Sequence, residues 1–298
     1  MTRLAMRVRR TVARRDGFTI IEIMIAMLMT SILGAALVKT MISSNQFIDR
    51  IEAGRDARGS ARAALNLLST ELRMVSAGTG IEAATPTSLT MRVAYRVGMA
   101  CSSTVGIPGV VVATFTPSDT SIASTSLGYT GFASLQSSGE YQYTNGIGTP
   151  AAGAASVCTA APASLTPVAG SSTLSMSGLA LPAAIPPGTP VVLWRRVQYD
   201  LAPSVILPGR LALWRRQLDG ASAVISSEEL AAPLEASTRF GFYINNARAS
   251  SDTVPTSLGD LRGIELRLVG ESMRVSRGAS QTEQSRLTTA VFFLNRPD

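Results

Sequence analysis

The chain has no histidine among its 298 residues. That removes the commonest general acid–base of neutral pH and the commonest metal ligand, and with them histidine-served triads and most zinc sites. Cysteine occurs twice, as Cys101 and Cys158, too few for a cysteine-ligated zinc or iron–sulfur centre or for a disulfide scaffold. Lysine occurs once, as Lys39, so no Gly-x-x-x-x-Gly-Lys-Ser/Thr phosphate loop exists. A Gly-x-Ser-x-Gly elbow with a histidine to serve it and an Asp-x-Asp-x-Asn/Asp-Gly calcium loop are also missing. Paired carboxylates occur only as Glu228-Glu229, neighbours whose side chains diverge on a helix or strand. The sequence thus offers no enzyme chemistry and calls for no cofactor or metal. Charged residues are 16% and hydrophobic ones 46%, which excludes a disordered polyelectrolyte and leaves room for one or two folded domains.

The net charge of +7 is concentrated at one end. Residues 1–17 hold six arginines and one aspartate, and the remaining 21 basic groups nearly balance 19 acidic ones. A near-neutral body lacks the clustered basic face that general nucleic-acid binding needs. After the basic tag comes Phe18 to Val38, in which Glu22 is the only charge. As a helix this run spans about 31 Å, the thickness of a bilayer hydrocarbon core. Arginines before it place the N-terminus in the cytoplasm and residues 40–298 beyond the inner membrane. Two leaders are compatible with this pattern. One is a secretory signal cut after Ala36 in Leu33-Gly34-Ala35-Ala36, which discards the apolar segment. The other starts from Arg15-Asp16-Gly17-Phe18-Thr19-Ile20-Ile21-Glu22, where a hydrophilic leader ends in glycine and a carboxylate enters a membrane run, a costly placement that marks function.

At these residues the sequence resembles the prepilin family, the type IV pilins and type II secretion pseudopilins, whose junction reads Gly-Phe-Thr-x-x-Glu. The resemblance implies cleavage between Gly17 and Phe18 by a prepilin peptidase, N-methylation of Phe18, and retention of the apolar helix on the mature protein. It assigns Glu22, with Thr19 beside it, to registering a subunit: an ionised carboxylate in a dry bundle needs a cation or else protonates, and the Phe18 amine of a neighbouring subunit supplies one. The alternative is that Glu22 only hydrogen-bonds Thr19 on its own helix. Implied partners are the peptidase, other minor and major pilins or pseudopilins, an inner-membrane assembly platform and membrane lipid.

Beyond the membrane run, Met41 to Val75 has no proline, and Ala61, Leu65, Leu68, Leu72 and Val75 repeat at 4-3-4-3 spacing, one apolar stripe of an amphipathic helix. Phe18–Val75 is expected as one rod ended by Gly78-Thr79-Gly80. Alternation predicts a strand at Leu89–Arg96, with further strands at Val191–Leu201, Leu211–Leu218, Arg239–Asn245, Gly263–Val269 and Leu287–Leu294. Short turn-rich connections favour an antiparallel meander. The expected fold class is α+β, a long N-terminal transmembrane and amphipathic helix packed on an antiparallel sheet, which is also what the resemblance implies. The domains follow: 1–17 a cleaved basic leader, 18–38 and 39–77 the transmembrane and amphipathic halves of the helix, and 78–298 a β-rich head.

Between Val97 and Leu193 only Asp119 and Glu140 are charged, so a low-charge insertion at about 97–190 is expected as surface loops with short strands such as Val110–Phe115. It is either a partner surface or a variable insertion with no ligand of its own. An oxidising compartment lets Cys101 and Cys158 pair, closing a loop worth ~4 kcal/mol; otherwise both are free buried thiols. Leu193-Trp194-Arg195-Arg196 recurs as Leu213-Trp214-Arg215-Arg216. On strands, each tryptophan shares a face with its second arginine and stabilises a sheet; the lesser alternative is nucleic-acid stacking. The stretch from Tyr199-Asp200-Leu201 to Leu213-Trp214-Arg215 resembles the hairpin of W-type minor pilins and J-type pseudopilins. The sequence therefore points to a minor pilin or pseudopilin that initiates a filament or sits near its tip. The alternative from another class is a singly anchored or secreted periplasmic binding protein that uses the leader only for targeting, with a secreted enzyme as a third choice.

Overall fold

The computed structural model describes residues 17–76, 78–104, 109–115, 130–136, 139, 141–146, 149–152, 172–179, 185, 189–245 and 247–293. The chain divides into two compact units, residues 1–50 and 51–298. Helix α1 (Ile20–Leu72) contributes to both.

In the first unit the helix from Ile20 to Val38 is apolar on every side but for Glu22 and a few hydroxyls. Ile20, Met24, Ile25, Leu28, Ile32 and Leu37 are all exposed, and mean hydropathy reaches 2.2, enough in length and composition to cross a membrane. Its hydroxyls are satisfied within the helix: Thr30 donates to the Ala26 carbonyl at 2.7 Å and Ser31 to that of Met27 at 2.7 Å. A lone helix in lipid has to meet its polar groups this way.

The second unit packs the rest of α1 on one antiparallel sheet, the α+β architecture expected from sequence. Its strands are β1 (Ile81–Thr85), β2 (Ser88–Thr104), β3 (Gly109–Phe115), β4 (Gly131–Leu135), β5 (Tyr141–Asn145), β6 (Thr149–Ala152), β7 (Ser172–Leu179), β8 (Pro190–Pro203), β9 (Leu211–Leu218), β10 (Val224–Leu234), β11 (Arg239–Ile244), β12 (Leu261–Val275) and β13 (Thr282–Phe292). The order is β11-β12-β10-β9-β8-β2-β3-β7-β6, with β1 on β2, β13 on β12, β4 on β8 and β5 on β4. It is not a simple meander. The centre of the sheet is the pairing of β2 with β8, distant in sequence, from Ser88 opposite Asp200 to Met99 opposite Pro190.

The core lies between the helix and one face of the sheet. Ala61, Ala64, Leu68 and Leu72 meet Leu89, Met91, Val197, Tyr199, Leu213, Phe240, Ile264 and Leu266. The buried helix stripe starts earlier than its hydrophobicity suggests, at Ala53 and Ala57, and runs through Ala64 with Leu65 at its margin. Backbone proximity is the reason. A Cβ on Gly270 would lie 1.8 Å from the Ala57 carbonyl oxygen and 3.0 Å from the Ala61 amide. Only alanine on the helix and glycine on β12 let the two backbones approach so closely.

Several expectations need correcting. The helix spans Ile20–Leu72, not Phe18–Val75. After Leu72 the chain tightens, with the amides of Met74 and Val75 bonding to the carbonyls of Glu71 and Leu72, and reverses through Gly78 at φ +74°. Strands β1 and β10 were not foreseen, and β12 and β13 are longer or earlier than predicted. The low-charge stretch holds β3 to β7, and β4 is core rather than surface loop: Phe132, Ala133 and Ser134 are buried against β8. Cys158 and the side chain of Cys101 lie outside the described residues, and so does their pairing.

Candidate functional site

The N-terminal junction is built from the first turn of α1. Gly17, Phe18 and Thr19 precede the helix and are exposed, with open space around the position of a Cβ on Gly17. Thr19 caps the helix: its carbonyl accepts the amides of Glu22 at 3.1 Å and Ile23 at 3.2 Å, and its Oγ1 accepts the Glu22 amide at 3.3 Å. Threonine followed three residues later by glutamate is the sequence signature of a capped helix start. That signal was present in Thr19-Ile20-Ile21-Glu22 and locates the helix start two residues later than hydrophobicity does. Thr19 is therefore engaged by the Glu22 backbone rather than by its carboxylate.

The Glu22 carboxylate is exposed in the first helical turn, where a negative charge is favoured by the helix dipole. Phe18, Glu22, Ala26 and Thr30 line one shallow groove along the helix, and Glu22, Ala26 and Thr30 recur every fourth residue on one face. The structure thus brings Gly17, Phe18, Thr19 and Glu22 together at one end of an apolar helix. An anionic side chain there sits one turn from the amine that cleavage after Gly17 would create.

In the head, the repeated Trp-Arg-Arg steps build the sheet. Trp194 is fully buried and its Nε1 donates to the Phe132 carbonyl at 3.1 Å. Tyr143 meets it edge-on at 5.8 Å, and the guanidinium of Arg92, not of Arg196, lies 5.3 Å from its ring. Arg196 and Arg92 share the Glu82 carboxylate at 2.5 and 2.7 Å. Arg216 pairs with Asp200 at 2.8 Å, Arg215 with Glu71 at 3.0 Å, and Arg195 lies 3.5 Å over the Tyr95 ring. Trp214 donates to the Pro203 carbonyl at 3.2 Å. Trp194, being buried, presents no open face on which a base could stack, and these arginines are engaged within the head.

Burial tunes the phenols under this layer. Tyr143 is pushed up to about 12 by desolvation, against the opposing pull of Arg92. Desolvation, followed by the Glu71 charge, raises Tyr199 well above its ordinary value. Arg195 is lowered, chiefly by burial, with Arg215 and Arg96 adding like-charge repulsion. Among the described residues no three histidine, cysteine, aspartate or glutamate side chains converge as a metal site.

The family model for the prokaryotic N-terminal methylation motif matches residues 12–38. No curated protein and no solved structure matches the chain. The match takes in the end of the basic leader, the Gly17–Phe18 junction and the apolar run, and it supports a type IV pilin-like N-terminus. It implies a prepilin leader processed by a prepilin peptidase, anchoring in the membrane through the N-terminus, and assembly with other pilins.

Proposed function

We propose that this chain is a minor pilin or pseudopilin, W-type or J-type, that enters the inner membrane with its N-terminus in the cytoplasm and its head in the periplasm. Residues 1–17 are removed, Phe18 is N-methylated, and the mature subunit joins a type IV pilus or a type II secretion pseudopilus at its initiation or near its tip. In that assembly 18–38 spans the bilayer, 39–77 carries the head and 78–298 is the head itself. The carrying observation is the capped turn that places Glu22 one turn from Phe18 at the start of the exposed, apolar first part of the helix. A carboxylate there costs too much in lipid to persist without a partner, and on this reading the Phe18 amine of an adjacent subunit is that partner.

Intact-mass measurement of the membrane-purified protein tests this. The expected species begins at Phe18 with one added methyl group, and Gly17→Val leaves the full-length precursor in the membrane. A mature N-terminus at Leu37 would establish the secretory alternative and end the filament reading.

A further inference from the structure

The head carries an apolar knob at one end of β8 and an apolar hole at the other, and we infer that the knob of one copy fills the hole of the next. The knob is the tip of the β8–β9 hairpin, where Val205 and Ile206 are 75% and 72% exposed. Exposed aliphatic residues are common and by themselves mean little. What distinguishes this tip is its backbone. The amides of Val205 and Ile206 donate to one oxygen of Glu229 at 3.0 and 3.4 Å, and Ser204 Oγ donates to the other at 2.5 Å. The Leu207 amide bonds Ser204 Oγ at 2.8 Å, and the Ser204 and Arg210 amides bond to carbonyls within the hairpin. A loop whose donors are met internally can be pressed against a dry surface without losing hydrogen bonds to water.

The hole lies at the start of the same strand. It is a cavity of about 350 Å³ whose walls include Trp194, Tyr143, Val97, Val192 and Met74, with the exposed Arg73 among them. Its apolar lining and volume suit one or two branched aliphatic side chains, at the small end of binding pockets generally. Ten residues of β8 separate Trp194 from Ser204, roughly 30 Å at strand rise, so a knob cannot reach the hole of its own chain. Charge selects the occupant. The Glu229 carboxylate behind the knob disfavours an anionic lipid surface and matches Arg73 at the hole. Knob and hole are different patches on one chain, so two copies can make the contact once, head to tail, or twice about a two-fold axis.

The contact is distinct from Glu22, so its failure leaves the filament reading standing, and loss of Glu22 leaves the knob and hole intact. The test uses the full chain in non-ionic detergent, with Ile206 replaced by photoreactive p-benzoylphenylalanine and mixed with an isotope-labelled copy. Irradiation is expected to join position 206 of the light chain to peptides containing Val97 or Val192 of the heavy one. In the labelled copy, Val97→Glu should cut the yield about tenfold and Arg73→Glu several-fold, both at exposed positions that the fold tolerates. Crosslinks on any other protein surface, adducts with detergent alone, or a yield indifferent to Val97→Glu would overturn the inference.

Discussion

Glu229 does for the β8–β9 tip what solvent does for an ordinary loop: it accepts the tip's donors. Burial alone would raise its pKa, but the hydrogen bonds from Ser204, Val205 and Ile206 outweigh that and hold it below the ordinary 4.5. A depressed carboxylate stabilises the fold above its unfolded value, and that contribution is lost as pH falls through the folded one. Glu229→Gln keeps acceptor oxygen but gives up the charge. The difference in amide exchange at Val205 and Ile206 between wild type and Glu229→Gln should therefore be full above pH 4.5, shrink below it, and vanish beneath the lowered pKa. A difference that persisted unchanged into stronger acid would show that the carboxylate does not organise the tip. Thr19 makes a related point about legibility. Its cap was written in the spacing Thr19-x-x-Glu22, whereas the role of Glu229 was not, because its partners are loop amides some 25 residues away in sequence.

At the scale of elements, the contact between α1 and β12 is set by the smallest residues in it. Gly270→Val would drive a side chain into the Ala57 carbonyl and should cost at least about 3 kcal/mol, since backbone cannot retreat as a side chain can. Gly220→Ala is the control: it has open space and no positive φ, and should change stability by less than about 0.5 kcal/mol. Denaturation midpoints of the two variants decide the matter; equal shifts would mean that the close approach is not tight. Alternation revealed β2, where Leu89, Met91 and Val93 are buried and Thr90, Arg92 and Ala94, alternating with them, are half-buried. Strand β10 escaped because its first half, Val224 to Glu228, is exposed and shows no alternation to read. Strand β4 escaped because Gly131-Phe132-Ala133-Ser134 is buried residue after residue, a pattern that looks like neither a half-buried strand nor an amphipathic helix.

For the whole molecule, membrane segment and head have separate jobs, and a variant can separate them. Glu22 belongs to the 1–50 unit and is not a member of the core that folds the head. Glu22→Ala should therefore yield protein that is cleaved, folded and membrane-bound, yet depleted in sheared filaments relative to wild type, because it lacks the charge that pairs with a neighbour's amine. Wild-type abundance in the filament fraction would reduce Glu22 to a locally satisfied polar group. The architecture was legible because it rests on strong periodic signals: a bilayer-length apolar run, a helical stripe, alternating strands. The sheet order was not, since the β2–β8 pairing joins segments separated by the whole low-charge stretch, and nothing local records such a long-range contact.

The notch at Gly270 also bears on mechanics. Ala53, Ala57 and Ala61 follow one another at one-turn intervals along the buried stripe, so the helix offers alanine to the notch once per turn, whereas Arg55, Asp56 or Arg58 in that place would set a long side chain against backbone. A pull directed along the helix axis would load this contact in shear rather than peel it apart. Slippage, if forced, would come in steps of about 5.4 Å, each requiring the ion pairs of Glu52 with Arg274 and Glu71 with Arg215 to break together.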